Sequence, residues 1–459
     1  MKDLRLLKSV GSFAAGGFIY FAAKASGVEE SFCLYAAITA WAVYCWVTNI
    51  ISATIVATVL PVLYLTFGVA DARTVFSPWA TSVPWLCFGG LMIGQMMEKS
   101  GLATRLAYKC MMLAGDSFLK MLVSLMLAGY VIAPLIPTVL GKAAIFFTLG
   151  AGICNVLKIE PYSKESAVIF MTCFVAVTGP SYGFLTGCAQ IPAAVLLLES
   201  VTHLKVTWFD YAYHNFIPSI VYSAVSFLAV LLVLRPGKLG GIREVVTEKH
   251  SELGPMSTAE KKSAFLLLTT LILLMTEAWH GVNAAWCMMM IAVVPFLPGM
   301  DLLDGKDIDR LSFPLLYFLA GAMSVGAVAA KIGVAAKIAE TASGFLATGH
   351  TALHLSGSFA LGVLTVLFLS PTTGMAALCV PLANLALEIG LDPRALLYPF
   401  FYGMDMYFMP YQYGLTLLLV SYKRVSLKHM STVLLMKIFL SALILLPFSL
   451  FYWHVIGLW

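Results

Sequence analysis

The chain has 459 residues, 60% of them hydrophobic and only 11% charged, with a mean hydropathy of +0.91. Soluble domains are nearer half apolar and a quarter charged, so the composition excludes an ordinary soluble fold. The net charge of +5 is carried by Lys and Arg in short loops rather than by a basic patch with interleaved aromatics, which excludes a nucleic-acid partner.

Continuous apolar runs, long enough for a hydrocarbon core of ~30 Å, predict membrane-spanning helices from the N-terminus onward. The first four cover about 8–26, 31–48, 50–68 and 82–98. The basic start MKDLRLLK resembles a signal peptide, but its apolar run outlasts a normal h-region and reads as the first span. The runs are not alternating, which argues against a membrane barrel. The next segment, about 118–157, is interrupted by Pro134, Pro137 and Gly141, with Lys142 just beyond. A span over about 165–200 contains GPSYG at 179–183, and another covers 212–234. The polar stretch 235–262 reads as a linker between halves, with Ser257 and Glu260 at capping-box spacing. The second half follows with spans over about 262–279, 283–298 and 313–330. An interrupted segment over about 350–390, a span over 395–421 holding MPYQYG at 409–414, and a last span over 432–457 complete it.

The halves repeat each other. GGLMIGQMMEKSGLATRLA (89–107) aligns without gaps with GAMSVGAVAAKIGVAAKIA (321–339), pairing Gly89 with Gly321, Gly94 with Gly326 and Lys99 with Lys331. Ala103, Arg105 and Ala107 meet Ala335, Lys337 and Ala339. With the N-terminus cytoplasmic, most of the 28 Lys and Arg residues fall on the inner side, Lys437 among them. Lys99 then lies inside and Lys331 outside, so the repeats are inverted. The expected fold is an all-α polytopic membrane protein of inverted repeats, with two re-entrant hairpins and two broken helices. Inverted repeats with breaks in matching places point to a secondary transporter with its site between the halves.

Irregular backbone inside lipid survives only where protein or a wet cavity satisfies it, so four breaks in register imply one shared cavity. Helix N-termini at the breaks offer free N–H groups to an anion, and freed carbonyls suit a small cation. Lys142 either faces substrate, stands where a co-ion would bind, pairs with Asp405 or Glu98, or snorkels to the inner surface. Asp405 is a coupling candidate, and Tyr182, Tyr411 and Tyr413 line the site or belt an interface. No HExxH, no GxSxG and no paired carboxylates on a helical face support an enzyme, and no catalytic residue or further metal site is expected.

These motifs, with LCFGGLMIGQMMEKSGLATRLA, VTWFDYAYHNFIPSIV and the closing YWHVIGLW, resemble the divalent anion:sodium symporter family across most of the chain. The resemblance implies a homodimer in lipid whose protomers combine scaffold (1–115, 263–349) and moving transport parts (116–200, 350–421) in an elevator. Residues 201–262 would connect the halves and 422–459 close the chain. The family's hairpin tips carry Ser-Asn-Thr type motifs, and the citrate and 2-oxoglutarate/malate exchanger branch reads Pro-Ser-Asn-Thr-Ala-Arg at the first. Here the first tip reads Pro137, Thr138, Val139, Leu140, Gly141, Lys142, with Thr138 for serine and Lys142 on the arginine. The second keeps Thr372 and Thr373 but has Pro371 at the serine, and Pro410 with Tyr411 resembles the exchangers' Pro-Tyr. The resemblance therefore implies a substrate site of Pro137, Thr138, Lys142, Gly183, Pro371, Thr372, Thr373, Pro410 and Tyr411. A cation, with Na+ as candidate coupling ion and no other cofactor, would use Thr138, Gly141, Gly179, Pro180, Thr373, Gly374 and Met409. The expected function is inner-membrane transport of a small organic dianion such as a dicarboxylate. Loss of both asparagines removes side chains that shape the family's sodium and carboxylate sites, and the basic tip residue favours anion exchange or coupling to something other than sodium, with sodium symport left open. The rivals are a sodium-coupled sulfate or sulfonate symporter, an anion channel and a non-transporting receptor.

Overall fold

The computed structural model describes all residues except 1, 49, 113–116, 203, 236, 238–246, 249, 312, 334–350 and 368. The first half runs α1 (Lys2–Ala25), α2 (Glu30–Thr48), α3 (Ala53–Thr66), α4 (Ser82–Ser100), α5 (Leu102–Met112), α6 (Phe118–Ile132), α7 (Val139–Val156), α8 (Lys164–Thr178), α9 (Gln190–Thr202) and α10 (Trp208–Leu234). The second half runs α11 (Thr258–Met275), α12 (Ala284–Val293), α13 (Phe313–Lys331), α14 (Thr351–Thr365), α15 (Pro371–Glu388), α16 (Pro393–Met404), α17 (Gly414–Ser421), α18 (Leu427–Leu440) and α19 (Leu446–Val455).

Local chemistry sets the helix starts. Ser163 and Ser370 accept from Ser166 and Thr373 N–H groups at the starts of α8 and α15. Ser257 and Glu260 form the capping box that their spacing predicts, through Ser257 N–H to Glu260 Oε2 (2.7 Å) and Glu260 N–H to Ser257 Oγ (3.1 Å). Helix α5 was not expected as an element of its own. Its Leu, Ala and Tyr positions face inward while Arg105 turns to the linker, an amphipathic pattern too short for a span.

Among the described residues, three helical stretches are long and apolar enough to cross a membrane: Lys164–Gly183, Trp208–Leu234 and Leu427–Val455. Breaks and prolines cut most others into arms, such as the 14-residue α3 with Pro61 inside. Both interrupted segments are helix pairs, α6–α7 and α14–α15, the first arms ending at Ile132 and Thr365 and the second starting at Val139 and Pro371. Both broken helices open where GPSYG and MPYQYG stand, at 179–189 and 405–413.

Packing repeats with the sequence. Helix α4 packs on α12 and its mate α13 on α3; α9 packs on α15 and its mate α17 on α7. The aligned glycines are points of close packing in both repeats. A Cβ on Gly89 would crowd the Met288 backbone of α12, and one on Gly321 would overlap the Ala57 backbone of α3. A Cβ on Gly94 would touch Ile136 at the first tip, and one on Gly326 would touch Val380 of α15. The remaining aligned positions Ala335, Lys337 and Ala339 lie outside the described residues.

One charge assignment is corrected. Lys437, counted with the inner-side basic residues, sits inside α18 at 1% exposure. Helix α18 starts at Leu427, five residues ahead of the predicted span, and a buried partner holds the charge there.

Candidate functional site

Proline and glycine at 133–141 stop α6 and restart the chain as α7. Thr138 is the residue before α7, in extended conformation (φ −95°, ψ 119°), with no side-chain cap hydrogen bond. Its hydroxyl lies above the first turn because Gly141 has no Cβ, which would sit 2.5 Å from Thr138 Oγ1. The first turn's N–H groups have no intrahelical acceptor and are available to a ligand. At the second tip Ser370 occupies the cap, Pro371 the first helical position, and Thr372 follows. By cap position Ser370, rather than Thr372 or Thr373, is the counterpart of Thr138.

Each tip is tied to the break in its own repeat. Thr186 Oγ1 donates to Pro134 O (2.9 Å) and accepts from Trp208 Nε1 (3.1 Å). Gln412 Nε2 donates to Val366 O (3.0 Å), while its Oε1 accepts from the Phe408 and Met409 N–H groups (2.8 and 2.6 Å). Backbone groups freed by the breaks are thereby satisfied.

All four interruptions reach one cavity of about 350 Å³. The first tip contributes Thr138, Val139, Leu140 and Gly141, and the second Thr372. The breaks contribute Ala189 and Gln190, and Tyr413 and Gly414. Tyr413 Oη donates to Gln190 Oε1 (3.4 Å), joining the two breaks across the cavity. The opposite wall is Leu91, Gly94, Gln95 and Glu98 of α4, with Arg310 and Leu311. Volume, mixed lining and helix N-termini suit a small anion.

The other expected residues lie elsewhere. Lys142 is turned away from the cavity, 1% exposed, with Nζ donating to Ser181 Oγ and Gly187 O at 2.5 Å each. Its pairing with Asp405 or Glu98 and its snorkelling are therefore corrected: the side chain is one layer behind the face bearing Thr138, Gly141 and Ile145. Asp405 instead pairs with Lys437 (Oδ2 to Nζ 3.3 Å) and accepts from Tyr222 Oη. Gly179 and Gly183 press on Ser223 and Ser219 of α10, and Pro180 is buried between them. Gly374 faces Met404 and Thr365, and Thr373 Oγ1 is bonded to Ser370 Oγ (2.9 Å). Pro137 touches α4 at Gly90, where a Cβ would overlap it. Pro410 O accepts from Thr416 Oγ1 (2.9 Å), and Met409 and Tyr411 flank it in a short turn. Among the described residues no group of three or more His, Cys, Asp and Glu side chains is placed to hold a metal.

Gln95, Gln190 and Arg310 were not singled out from the sequence. A signal existed for two, since Gln95 and Gln190 are amides within apolar runs. Arg310 reads as an ordinary loop cation. Its side chain is 69% exposed, and its nearest carboxylate, Asp307 at 3.9 Å, is already held by Lys99 Nζ at 2.5 Å.

Reciprocal repeats, paired tips and a shared cavity define the class as a polytopic helical membrane transporter fold. The sequence matches the family described as sodium:sulfate symporter transmembrane region over residues 4–459, and the chain belongs to that family. It is similar to the chloroplast dicarboxylate transporter 1 of Spinacia oleracea, at 25% identity over 72% of this chain and 59% of that protein. The inner membrane protein YbhI of Escherichia coli K12 is 21% identical over 64% of this chain and 63% of its own length. The L-tartrate/succinate antiporter of the same strain is 27% identical over 43% of this chain and 42% of its own. The chain thus spans little more than half the length of the chloroplast relatives it matches. The solved structure of the YdaH transporter of Alcanivorax borkumensis shares the fold, with a TM-score of 0.57 at 14% identity, over 84% of this chain and 88% of that one.

Proposed function

We propose that this protein is a secondary carrier for a small organic dianion, of the dicarboxylate class, in the cytoplasmic membrane. The carrying observation is the convergence of both tips and both breaks on one cavity. The α7 N-terminus with Thr138 holds one anionic end, and Thr372 at the α15 N-terminus holds the other. Two anion-binding ends from different hairpins suit two carboxylates better than one tetrahedral sulfate. Relatives named for dicarboxylates and for tartrate/succinate antiport support the same class.

The elevator reading is supported by the wall between tips and scaffold. Gly90 and Gly94 of α4 and Gly326 of α13 present little side-chain relief to the hairpins, as a sliding surface needs. The cavity mouth carries Glu98 and Arg310, on the side richest in Lys and Arg, which corresponds to a carrier open to the cytoplasm. The test is counterflow in liposomes. Labelled succinate, L-tartrate, malate and sulfate are offered to vesicles loaded with the same anion. Acceleration by internal dicarboxylate, and less by sulfate, is expected. Conductive flux without trans-acceleration returns the protein to the channel class.

A further inference from the structure

A second cavity, of about 470 Å³, lies where α13 meets the segment between α3 and α4. Arg73, Ser77 and Thr81 of that segment line it with Met323, Ala327 and Lys331 of α13. The repeat explains its position. Trp79, just ahead of α4, meets Tyr317, and Phe88 meets Phe313, with ring centroids 5.2 and 5.9 Å apart, so α4 and α13 run antiparallel. Lys99 near the end of α4 and Lys331 at the end of α13 therefore lie at opposite ends of the pair. In the ungapped register of the repeats Leu91 and Gln95 correspond to Met323 and Ala327. The first two line the central cavity and their mates line this one. The second cavity is thus the repeat mate of the central one, at the membrane face opposite Glu98 and Arg310.

The two ends differ in charge. Lys99 is neutralised, its Nζ donating to Asp307 Oδ2 (2.5 Å) and Asp304 Oδ2 (3.4 Å). Asp304 caps the short helix Gly305–Asp309, as Asp71 caps Ala72–Val75 in the first repeat. Past that cap the first repeat has Thr74 and Val75 where the second has Asp307. Among the described residues neither Arg73 nor Lys331 is in an ion pair. Asp71 lies near enough to feel both cations, but its carboxylate is held by the Thr74 N–H (2.9 Å). Ser77 and Thr81 spend their protons on Thr74 O (2.8 Å) and Pro78 O (2.7 Å). A guanidinium and an ammonium are left at the cavity, donors with no acceptor of their own, and their complement is an anion.

We propose that this cavity is a second anion site, in which Arg73 and Lys331 dock a small dianion at the membrane face opposite the central cavity's mouth. As a loading site it rests on the carrier reading above. Two exposed cations hold by charge rather than shape, so succinate and sulfate occupy the site alike, and salt weakens the hold. The site raises the local concentration of dianion at its face. The carrier therefore loads there at lower concentration than at the other end, where Glu98, Asp304 and Asp307 offset the cations.

Purified full-length protein in neutral detergent tests docking without transport. Acetylation of Lys331 is read by peptide mass spectrometry against the exposed Lys306. Excess succinate or sulfate at low salt should slow it about fivefold, the scale of an exposed charge pair. The rate should recover in about 1 M sodium chloride, where the screening length is about 3 Å. Arg73→Gln should remove most of the protection and Arg73→Lys should keep it. Lys331 unprotected by either dianion overturns the inference. Protection by phosphatidylglycerol but by no free dianion assigns the cavity to a lipid headgroup and also overturns it. Counterflow in liposomes gives the second readout. Lys331→Gln should raise the succinate KM by up to about fivefold at the Lys331 face, and leave it unchanged at the Arg310 face. An equal rise at both faces overturns the loading role. Protection of Lys331 without counterflow of any of the four anions removes the carrier reading and leaves the anion site standing; counterflow with Lys331 unprotected does the reverse.

Discussion

At the residue scale, the smallest determinant of the cavity is a missing methyl group. Gly141 leaves room for the Thr138 hydroxyl over the first turn of α7. In Gly141→Ala the new Cβ meets that hydroxyl 2.5 Å away and displaces it. A hydrogen bond to an ionised ligand contributes roughly 1.5–3 kcal/mol, so the variant should raise the KM for succinate counterflow by about tenfold or more. An unchanged KM would separate Thr138 from the substrate. Arg310 makes a second, distinguishable prediction. Its planar fork suits a carboxylate, but exposure screens it. Arg310→Gln should raise KM by about fivefold or less, in low salt, at one membrane face alone, the face onto which the cavity opens. An equal effect from both faces argues against a mouth residue.

At the element scale, the hairpins hold to the broken helices through backbone contact. Gly129 of α6 would overlap the Ala176 carbonyl of α8 if it bore a Cβ, and Gly403 of α16 would overlap the Phe359 carbonyl of α14. These are the same crossing in the two repeats. Lipid supplies no hydrophobic drive between helices, so close approach of small residues carries much of the association. Gly129→Val and Gly403→Val should each overpack the crossing at a cost of about 1–3 kcal/mol. The measurement is a lower melting temperature in detergent, and Gly152→Val, with nothing within 4 Å of its Cβ position, is the control expected to melt as wild type.

At the scale of the molecule, a clasp at Arg105 joins the first half to the linker and the start of the second. Arg105 of α5 donates to Glu260 Oε1 (2.6 Å) and Oε2 (3.1 Å), and to the Leu253 and Gly254 carbonyls (3.0 and 2.9 Å). Helix α5 leads into the first hairpin, so the clasp fixes the hairpin's approach to the linker and α11. Hydrogen bonding to Arg105 holds the Glu260 carboxyl below the ordinary glutamate range. The unfolded chain therefore binds this proton at higher pH than the folded one. The clasp's contribution is full above the ordinary glutamate value of about 4.3 and is lost as pH falls through the lower folded value. Thermal melting should show this loss below about pH 4, and Arg105→Met should flatten it while lowering stability at neutral pH by about 3 kcal/mol. A wild-type profile flat between pH 5 and 3 would contradict the assignment.

Much of the fold was legible because lipid enforces it: spans need long apolar runs, and proline or glycine inside such runs marks a break. The GPSYG and MPYQYG breaks and both tips were readable on that ground, and the Gly89–Gly321 and Gly94–Gly326 pairings from the ungapped repeat. The site was legible in position but only partly in residues. Thr138, Gly141 and Thr372 line the cavity, whereas Lys142 is turned behind it, because helical phase at a broken start depends on the cap. Gln190 and Arg310 come from elements whose proximity to the tips only packing creates. The sequence by itself determined that the chain is a polytopic bundle of inverted, interrupted repeats, since hydropathy and breaks are local properties. The partners of its buried charges, Lys142 with Ser181 and Lys437 with Asp405, were decided only by tertiary structure, because each pairing joins segments on different helices that periodicity does not relate.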